Sequence, residues 1–438
     1  MHRIVAPFAR FVTTQTVTSA IMLLAAVAAL GLANSPFRHA YHAVLDTEIG
    51  VSVGDWRLAM SLHHWVNDGL MAVFFFVLGL EIKREFLAGA FRTAARSRLL
   101  VVTALGGMVV PAALFALLAP APASAGWGIP MATDTAFAIG VLALLGTRIP
   151  RGLTAMLVGL AIVDDIGAVL VIAAFYTDSI ALTWLAVAGG VLGAMALANV
   201  GGLRHPVVYL LGGIALWYAV LQSGVHSTVA GVLAATTVPA RVQVLPRRFE
   251  RRVRNLIGRL HSRRRGRRDI LGDPPQHAIV EALRREATAA TTPLLRWENS
   301  LENVTALFIL PVFALANAGV ALGGHDAPLW GDRLPLAILV GLVVGKGIGI
   351  SAACQIARML GFGTLPDGVR MRHVLGMSLV AGMGFTMSIF VANLAYADDP
   401  DHLAAAKSAV LAGSLVAGVL GYLTLRVSGG DGARAAAS

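Results

Sequence analysis

Hydrophobic residues in this chain come in long unbroken runs rather than in alternation with polar ones. Twelve runs stand out, at 11–33, 60–80, 99–118, 126–146, 153–175, 181–199, 206–222, 224–239, 304–322, 334–357, 373–396 and 404–426. Most approach the roughly 20 residues a helix needs to cross the hydrocarbon core of a bilayer. A helix that is apolar all round belongs in surroundings that are apolar on every side. The seventh and eighth runs are short and nearly continuous. Glycines and alanines are scattered through the runs, and small residues let membrane helices pack closely. The pattern predicts an all-α polytopic membrane protein of twelve transmembrane helices. Spans 1–8 occupy residues 1–239 and spans 9–12 occupy 297–426. A basic cytoplasmic loop, 240–296, lies between them, and the small, polar tail 427–438 is expected to be disordered.

Composition agrees with a membrane protein. Of 438 residues, 57% are hydrophobic and 13% charged, and the mean hydropathy is +0.73; soluble domains do not show this balance. The single cysteine, Cys354, excludes an internal disulfide and a cysteine-rich metal site. The N-terminus has basic residues before an apolar run, as a signal peptide does. No clear small-x-small cleavage site follows it, so it is read as an uncleaved first span. The net charge of +11 invites a nucleic-acid reading, but the arginines concentrate in one segment. With twelve spans, only Arg38, Arg57, Arg333 and Lys407 fall on one side of the membrane. Apart from Lys346, inside a span, every other basic residue falls on the opposite side. The positive-inside rule then places both termini in the cytoplasm. The stretch 241–268 is the most basic of all, and two readings stand for it: binding of anionic lipids, or a solvated topology anchor.

Charges inside the runs carry the candidate chemistry. Asp134, Asp164, Asp165 and Lys346 lie well within spans, where ionisable residues are expensive and mark ion pathways. Asp164 and Asp165 point about 100° apart on a helix. They flank a narrow side made by Ala161, Gly167 and Ala168, where another helix can come close. Two carboxylates in one cavity titrate as a coupled pair. Only three of the 35 basic residues are lysines, Lys83, Lys346 and Lys407, and one of them is the sole intramembrane cation. Lysine, unlike arginine, loses its proton readily when buried. A proton-carrying role and a static ion pair with an aspartate are both compatible with Lys346. Asp68, nearer a span end, reads as a helix-entrance polar group. Glu81, Lys83, Arg84 and Glu85 close the same helix, and either a functional cluster or a solvated helix end accounts for them.

Two spans carry breakers. Pro130 stands four residues before Asp134, with Thr133 beside it, and proline frees backbone carbonyls. Gly382 and Gly384 sit midway along the eleventh span, where glycine permits unwinding. Spans 4 and 11 are each the middle of a triplet, 3–5 and 10–12. They are seven spans apart, an odd number, so they cross the membrane in opposite directions. That is the pattern of an inverted repeat with two broken helices crossing at an ion site.

The segments "PMATDTAFAIGVLALLG", "LAIVDDIGA", "SGVHSTVAGV", "PVFALANAGV" and "GMGFTMSIF", in this order, resemble the NhaA-type sodium/proton antiporters of bacterial membranes. The resemblance covers 10–240 and 297–426 and leaves the basic loop outside. The inverted-repeat rule was itself drawn partly from that family, so the repeat is not an independent finding. The resemblance implies that Asp165 is the principal sodium-binding carboxylate. Asp164 would be its partner on the metal, paired with Lys346 and able to carry a proton. Thr133 and Asp134 would lie in the unwound part of span 4. Asp134 would compensate two helix N-termini and Lys346 two C-termini. The stretch "LDTEIGVSVGDWRL" resembles a β-hairpin that joins two protomers into a homodimer. His226 matches a family position linked to pH response, and a packed interfacial role is at least as open for it; Glu81, Glu85, Glu298 and Glu302 are the further regulatory candidates. Two departures are visible. Gly347 follows the lysine where the family commonly has proline. The start of span 9 reads Glu298, Asn299 and Glu302, where the family has a Glu-His pair and a second His.

The implied activity is secondary transport rather than catalysis: electrogenic exchange of cytoplasmic Na⁺ or Li⁺ for external protons, serving pH and sodium homeostasis. No cofactor is expected, Na⁺ and H⁺ being the transported substrates, and no nucleic-acid partner. A sodium-coupled symporter of an organic anion would use Lys346 to neutralise its substrate, but the spans show little sign of a substrate pocket. An intramembrane aspartyl protease would set Asp134 against Asp165, but the chain lacks a Gly-x-Gly-Asp segment.

Overall fold

The structure is a computed structural model, and it describes residues 2–89, 94–177, 180–241, 246–262, 274–321 and 333–435. The chain enters as α1 (His2–Ala33), followed by a short helix α2 (Arg38–Asp46). Strands β1 (Glu48–Val53) and β2 (Trp56–Ser61) form an antiparallel hairpin in which Val53 pairs with Trp56. Its two-residue turn has Gly54 at φ +60, a position that suits glycine. Then come α3 (Leu62–Ala88), α4 (Ala94–Leu118), a 3₁₀ segment (Ala123–Met131) and α5 (Thr135–Leu145). Next follow α6 (Arg151–Phe175), α7 (Leu182–Val200), α8 (Pro206–Gln222) and α9 (Val229–Thr237).

Two helices, α10 (Pro246–Ser262) and α11 (Pro274–Ala290), occupy the basic segment. The chain ends with α12 (Pro293–Asn317), α13 (Arg333–Met359), α14 (Met371–Val380), α15 (Phe385–Ala395) and α16 (Pro400–Ala435).

Eight helices among the described residues are long and apolar enough to cross a membrane, or up to ten if each of two bent pairs is one span. The bent pairs are Ala123–Met131 with α5, at 43°, and α14 with α15, at 49°. The surface supports the same reading. Leu117 is 81% exposed, Leu197 73% and Val200 86%, a coat that suits lipid and not water. Inside, Phe75, Phe313 and Phe390 centre one core. Leu153, Leu157 and Met377 belong to a second, and each core includes residues of both bent pairs.

Several sequence expectations change here. The eighth run is not a full-length helix: α9 has 9 residues, about 14 Å of helix, well short of the bilayer core. The chain turns before it at Gly224, φ +80, and the polar residues His226, Ser227 and Thr228 follow. The basic loop is largely two 17-residue helices packed on each other; its residues 242–245 and 263–273 lie outside the described residues. The tail expected to be disordered continues α16 as helix to Ala435, since extending a formed helix is far easier than starting one. Residues 436–438 lie outside the description.

Helix α13 is seated by a close approach. A Cβ on Gly106 of α4 would stand 2.5 Å from the Gly349 carbonyl oxygen, and one on Gly345 2.7 Å from Pro111 Cα. Backbone therefore touches backbone, and this fixes where Lys346, between those glycines, enters the bundle. Gly349→Ala is expected to lower stability by about 1–3 kcal/mol, read as earlier heat-induced aggregation in detergent.

Candidate functional site

The two breaks meet. Asp134 N–H donates to the Met383 carbonyl at 2.7 Å. Ser388 Oγ donates to the Ile129 carbonyl, which precedes Pro130, at 2.6 Å. The Thr133 hydroxyl lies 2.8 Å from the Ala381 carbonyl. Each broken segment thus satisfies polar groups that the other leaves open, as a non-helical backbone inside a bilayer requires. Residue 129 meets 388 while 133 meets 381, so the segments cross in opposite directions. Gly382 and Gly384 do not use a left-handed backbone. The reason for glycine is steric: a Cβ on Gly382 would collide with the Leu342 carbonyl, and one on Gly384 with Ser388.

Asp134 sits at the crossing. Its carboxylate caps α5, accepting from Phe137 N–H at 3.2 Å. It also accepts from Thr386 N–H at 3.1 Å and from the Thr386 hydroxyl at 2.5 Å, at the start of α15. One negative charge therefore faces the positive ends of two helices.

Lys346 and Asp164 form a fully buried ion pair, with Nζ 2.5 Å from Oδ2. Lys346 also donates to Thr133 Oγ1 at 3.0 Å, and that hydroxyl lies 2.8 Å from Asp164 Oδ2. Its one proton serves either Asp164 or the Ala381 carbonyl at a time. Lys346 thus reaches a helix C-terminus through Thr133. A π-helical turn, Gly341–Gly345, immediately precedes it; such turns re-aim side chains and recur at functional sites.

Asp165 is different. It is 6% exposed and has no hydrogen bond or ion pair with any described residue, and its Oδ1 is buried without a partner. Asp164 Oδ1 is likewise unpartnered. The small face that separates the pair packs on α4, where a Cβ on Gly167 would strike Met108. A buried carboxylate with no protein partner needs a proton or a bound cation. Among the described residues no group of three or more His, Cys, Asp or Glu is arranged to hold a metal ion. The site offers two carboxylates and a hydroxyl, a hard oxygen set suited to an alkali cation and not to a transition metal.

The sequence's regulatory candidates separate into two groups. Glu81, Glu85 and Glu298 surround Arg84, at 3.7, 2.6 and 2.7 Å, joining α3 to α12. Glu302 lies one turn further along α12. Lys83 Nζ caps α9, donating to the carbonyls of Thr236 at 2.6 Å and Val238 at 2.5 Å. These residues tie helices together and are not merely a solvated helix end.

His226 stands apart, with Nδ1 3.0 Å from Thr228 Oγ1 and its ring edge-on to Phe390. Its neighbour is Asp68, which is a buried hub and not the helix-entrance group the sequence suggested. Ser227 Oγ donates to Asp68 at 2.7 Å, His64 Nε2 lies 2.8 Å away and His226 Nε2 3.8 Å away. A second network joins His63, Asn67, Asn317 and Asn393. The signal in the sequence was the i,i+4 spacing of His64–Asp68 for the first network and of His63–Asn67 for the second.

Two tyrosines hold the 3₁₀ segment. Tyr176 hydroxyl donates to Ala125 O at 3.0 Å and accepts from Gly128 N–H; Tyr396 donates to Ala123 O at 2.5 Å. Burial pushes the Tyr176 hydroxyl up to about 12, so it remains a protonated donor at neutral pH.

An apolar bundle in which two broken helices cross beside buried carboxylates and a lysine defines a membrane protein of the broken-helix ion-transporter class. Within that class, the chain belongs to the family described as Na+/H+ antiporter 1, matched over residues 9–425. The basic segment falls inside those bounds, whereas the sequence resemblance had left it outside. A Saccharophagus degradans protein named Na(+)/H(+) antiporter NhaA 1 is 44% identical over 440 residues, covering 100% of this chain and 95% of the relative. A Shewanella denitrificans protein of the same name is 45% identical over 422 residues, covering 96% and 94%. The Oleidesulfovibrio alaskensis Na(+)/H(+) antiporter NhaA is 42% identical over 428 residues, covering 98% and 95%.

Proposed function

We propose that this protein exchanges Na⁺ or Li⁺ for protons across a bacterial inner membrane. The observation that carries the reading is Asp165, a buried carboxylate without a protein partner beside the Asp164–Lys346 pair. Asp164 and Lys346 cancel each other's charge, and Asp165 is left to take either a cation or a proton. In the state open to the cytoplasm, Na⁺ binds Asp165 together with Asp164, the Thr133 hydroxyl and water, and displaces protons. The unit of spans 3–5 and 10–12, an inverted repeat, then shifts against the rest and exposes the site outside. Protons from the acidic side discharge the sodium and return on the carboxylates or on Lys346. With more than one titratable group engaged, more protons than sodium ions cross per cycle, and the exchange is electrogenic. Both termini lie in the cytoplasm, where export of sodium supports pH homeostasis. The Arg84 cluster and His226 are regulatory. The β-hairpin, with Val51 and Ile49 exposed, joins two protomers, since a lone hairpin is only marginally stable in water.

The test is proton flux in proteoliposomes against Na⁺, Li⁺ and K⁺ over a pH series. Na⁺ and Li⁺ are expected to drive proton movement and K⁺ to leave it at background. An equal response to K⁺, or none to Na⁺, overturns the assignment.

A further inference from the structure

Helix α10 carries a charge pattern that the ion cycle does not use. Phe249, Val253, Leu256 and Leu260 fall along one side and are half-buried, and α10 packs against α11. Arg252 crosses to Glu286 of α11 at 2.9 Å, so the pair is a closed hairpin with its apolar seam already occupied. Arg247, Arg248 and Arg251, by contrast, are exposed and have no ion pair or hydrogen bond among the described residues. At 100° per residue they span one continuous face, with Asn255 in the same arc, turned away from the apolar side.

The hairpin is also tethered at both ends. Arg241 is held by Arg204, whose NH1 donates to its carbonyl at 2.9 Å. Pro239 O accepts from Leu294 N–H at 3.3 Å. Only residues 242–245 separate Arg241 from α10, a reach of less than about 20 Å. On the other side, Thr291 and Thr292 alone separate α11 from α12. Links this short keep the arginine face within reach of the lipid headgroups around that end of the bundle.

We infer that the Arg247–Arg248–Arg251 face of α10 docks on anionic phospholipid headgroups of the surrounding leaflet. Three uncommitted guanidinium groups on one face suit the fork-like binding of phosphate oxygens. Phe249, Val253, Leu256 and Leu260 are half-buried on the side away from these arginines, so the contact is electrostatic, at the surface and without insertion. A contact of that kind weakens with salt. The inference is independent of the transport cycle and stands or falls separately.

The full-length protein, with Cys354→Ser and Asn255→Cys, is placed in nanodiscs of phosphatidylcholine with and without phosphatidylglycerol. The rate of reaction with a bulky, membrane-impermeant maleimide is then read. Phosphatidylglycerol is expected to slow labelling at least about tenfold, and high salt to restore the faster rate. Arg247→Gln, Arg248→Gln and Arg251→Gln together should abolish the lipid effect, while the same three changed to Lys should keep it. Equal rates in the two lipids overturn the inference. So does protection by inorganic phosphate alone in phosphatidylcholine discs, which would mark a site for free anions. Protection that persists in the glutamine variant would place the lipid contact elsewhere and equally overturn it.

Discussion

Asp165→Asn is expected to abolish sodium-dependent proton movement while leaving the protein folded. Asparagine matches aspartate in shape but neither carries a negative charge nor takes up a proton. Asp165 makes no hydrogen bond or ion pair with any described residue, so the exchange breaks no contact. Removing a buried, uncompensated carboxyl group relieves a desolvation cost, and stability should stay level or rise. The assay is dequenching of a pH-sensitive dye in inverted membrane vesicles on addition of Na⁺, with thermal unfolding of the purified protein beside it. Exchange at the normal rate in this variant would remove the mechanism. A variant that fails to fold would instead mean that Asp165 has a structural partner.

The second large effect is on stability. Lys346 is fully buried and 2.5 Å from Asp164. Lys346→Ala strands Asp164 in a low-dielectric site with only the Thr133 hydroxyl for company. Breaking a buried pair by removing one partner costs about 3–5 kcal/mol, a large part of the 5–15 kcal/mol that holds a typical domain together. The expected result is a marked drop in melting temperature in detergent as well as loss of transport. Lys346→Arg keeps the charge and should be milder. Combining Lys346→Met with Asp164→Asn removes both charges and should recover most of the stability but not the activity. Together with the single variants Lys346→Met and Asp164→Asn, it closes a cycle that separates the worth of the pair from the cost of an orphaned charge. If Lys346→Ala melts like the unaltered protein, the pair does not hold the fold.

How much was legible beforehand differs from residue to residue. Lys346 announced itself through depth and rarity, and Asp164 and Asp165 through two charges in an apolar run. Asp68 did not, because a charge near a span end costs little in sequence terms and gives no hint of what packs on it. Its partners Ser227 and His226 are about 160 residues away and reach it only after α9 folds back along α3. Gly382 and Gly384 lie in the bend between α14 and α15, but the reason for glycine there is not the one the sequence suggests. Sequence suggests backbone freedom, whereas the packing demands room for the Leu342 carbonyl and the Ser388 side chain. The regulatory candidates looked like one set, yet His226 lies beside Asp68, 13 residues before Glu81 on α3, about 20 Å away, and the two clusters are distinct.

The sequence by itself determined that this is a helical membrane protein, which runs form the main spans, and that two of them break. These follow from local quantities: the length of an apolar run, the cost of a charge in lipid, and the missing N–H of a proline. Only the tertiary structure decided that the two breaks answer each other's open backbone groups, and that Asp134 serves two helix ends. It also decided that Asp164 is neutralised by Lys346 while Asp165 is left without a partner. Adjacent aspartates are chemically identical in a sequence. What separates them is which neighbour, from a span nearly two hundred residues away, comes within hydrogen-bonding distance of one and not of the other.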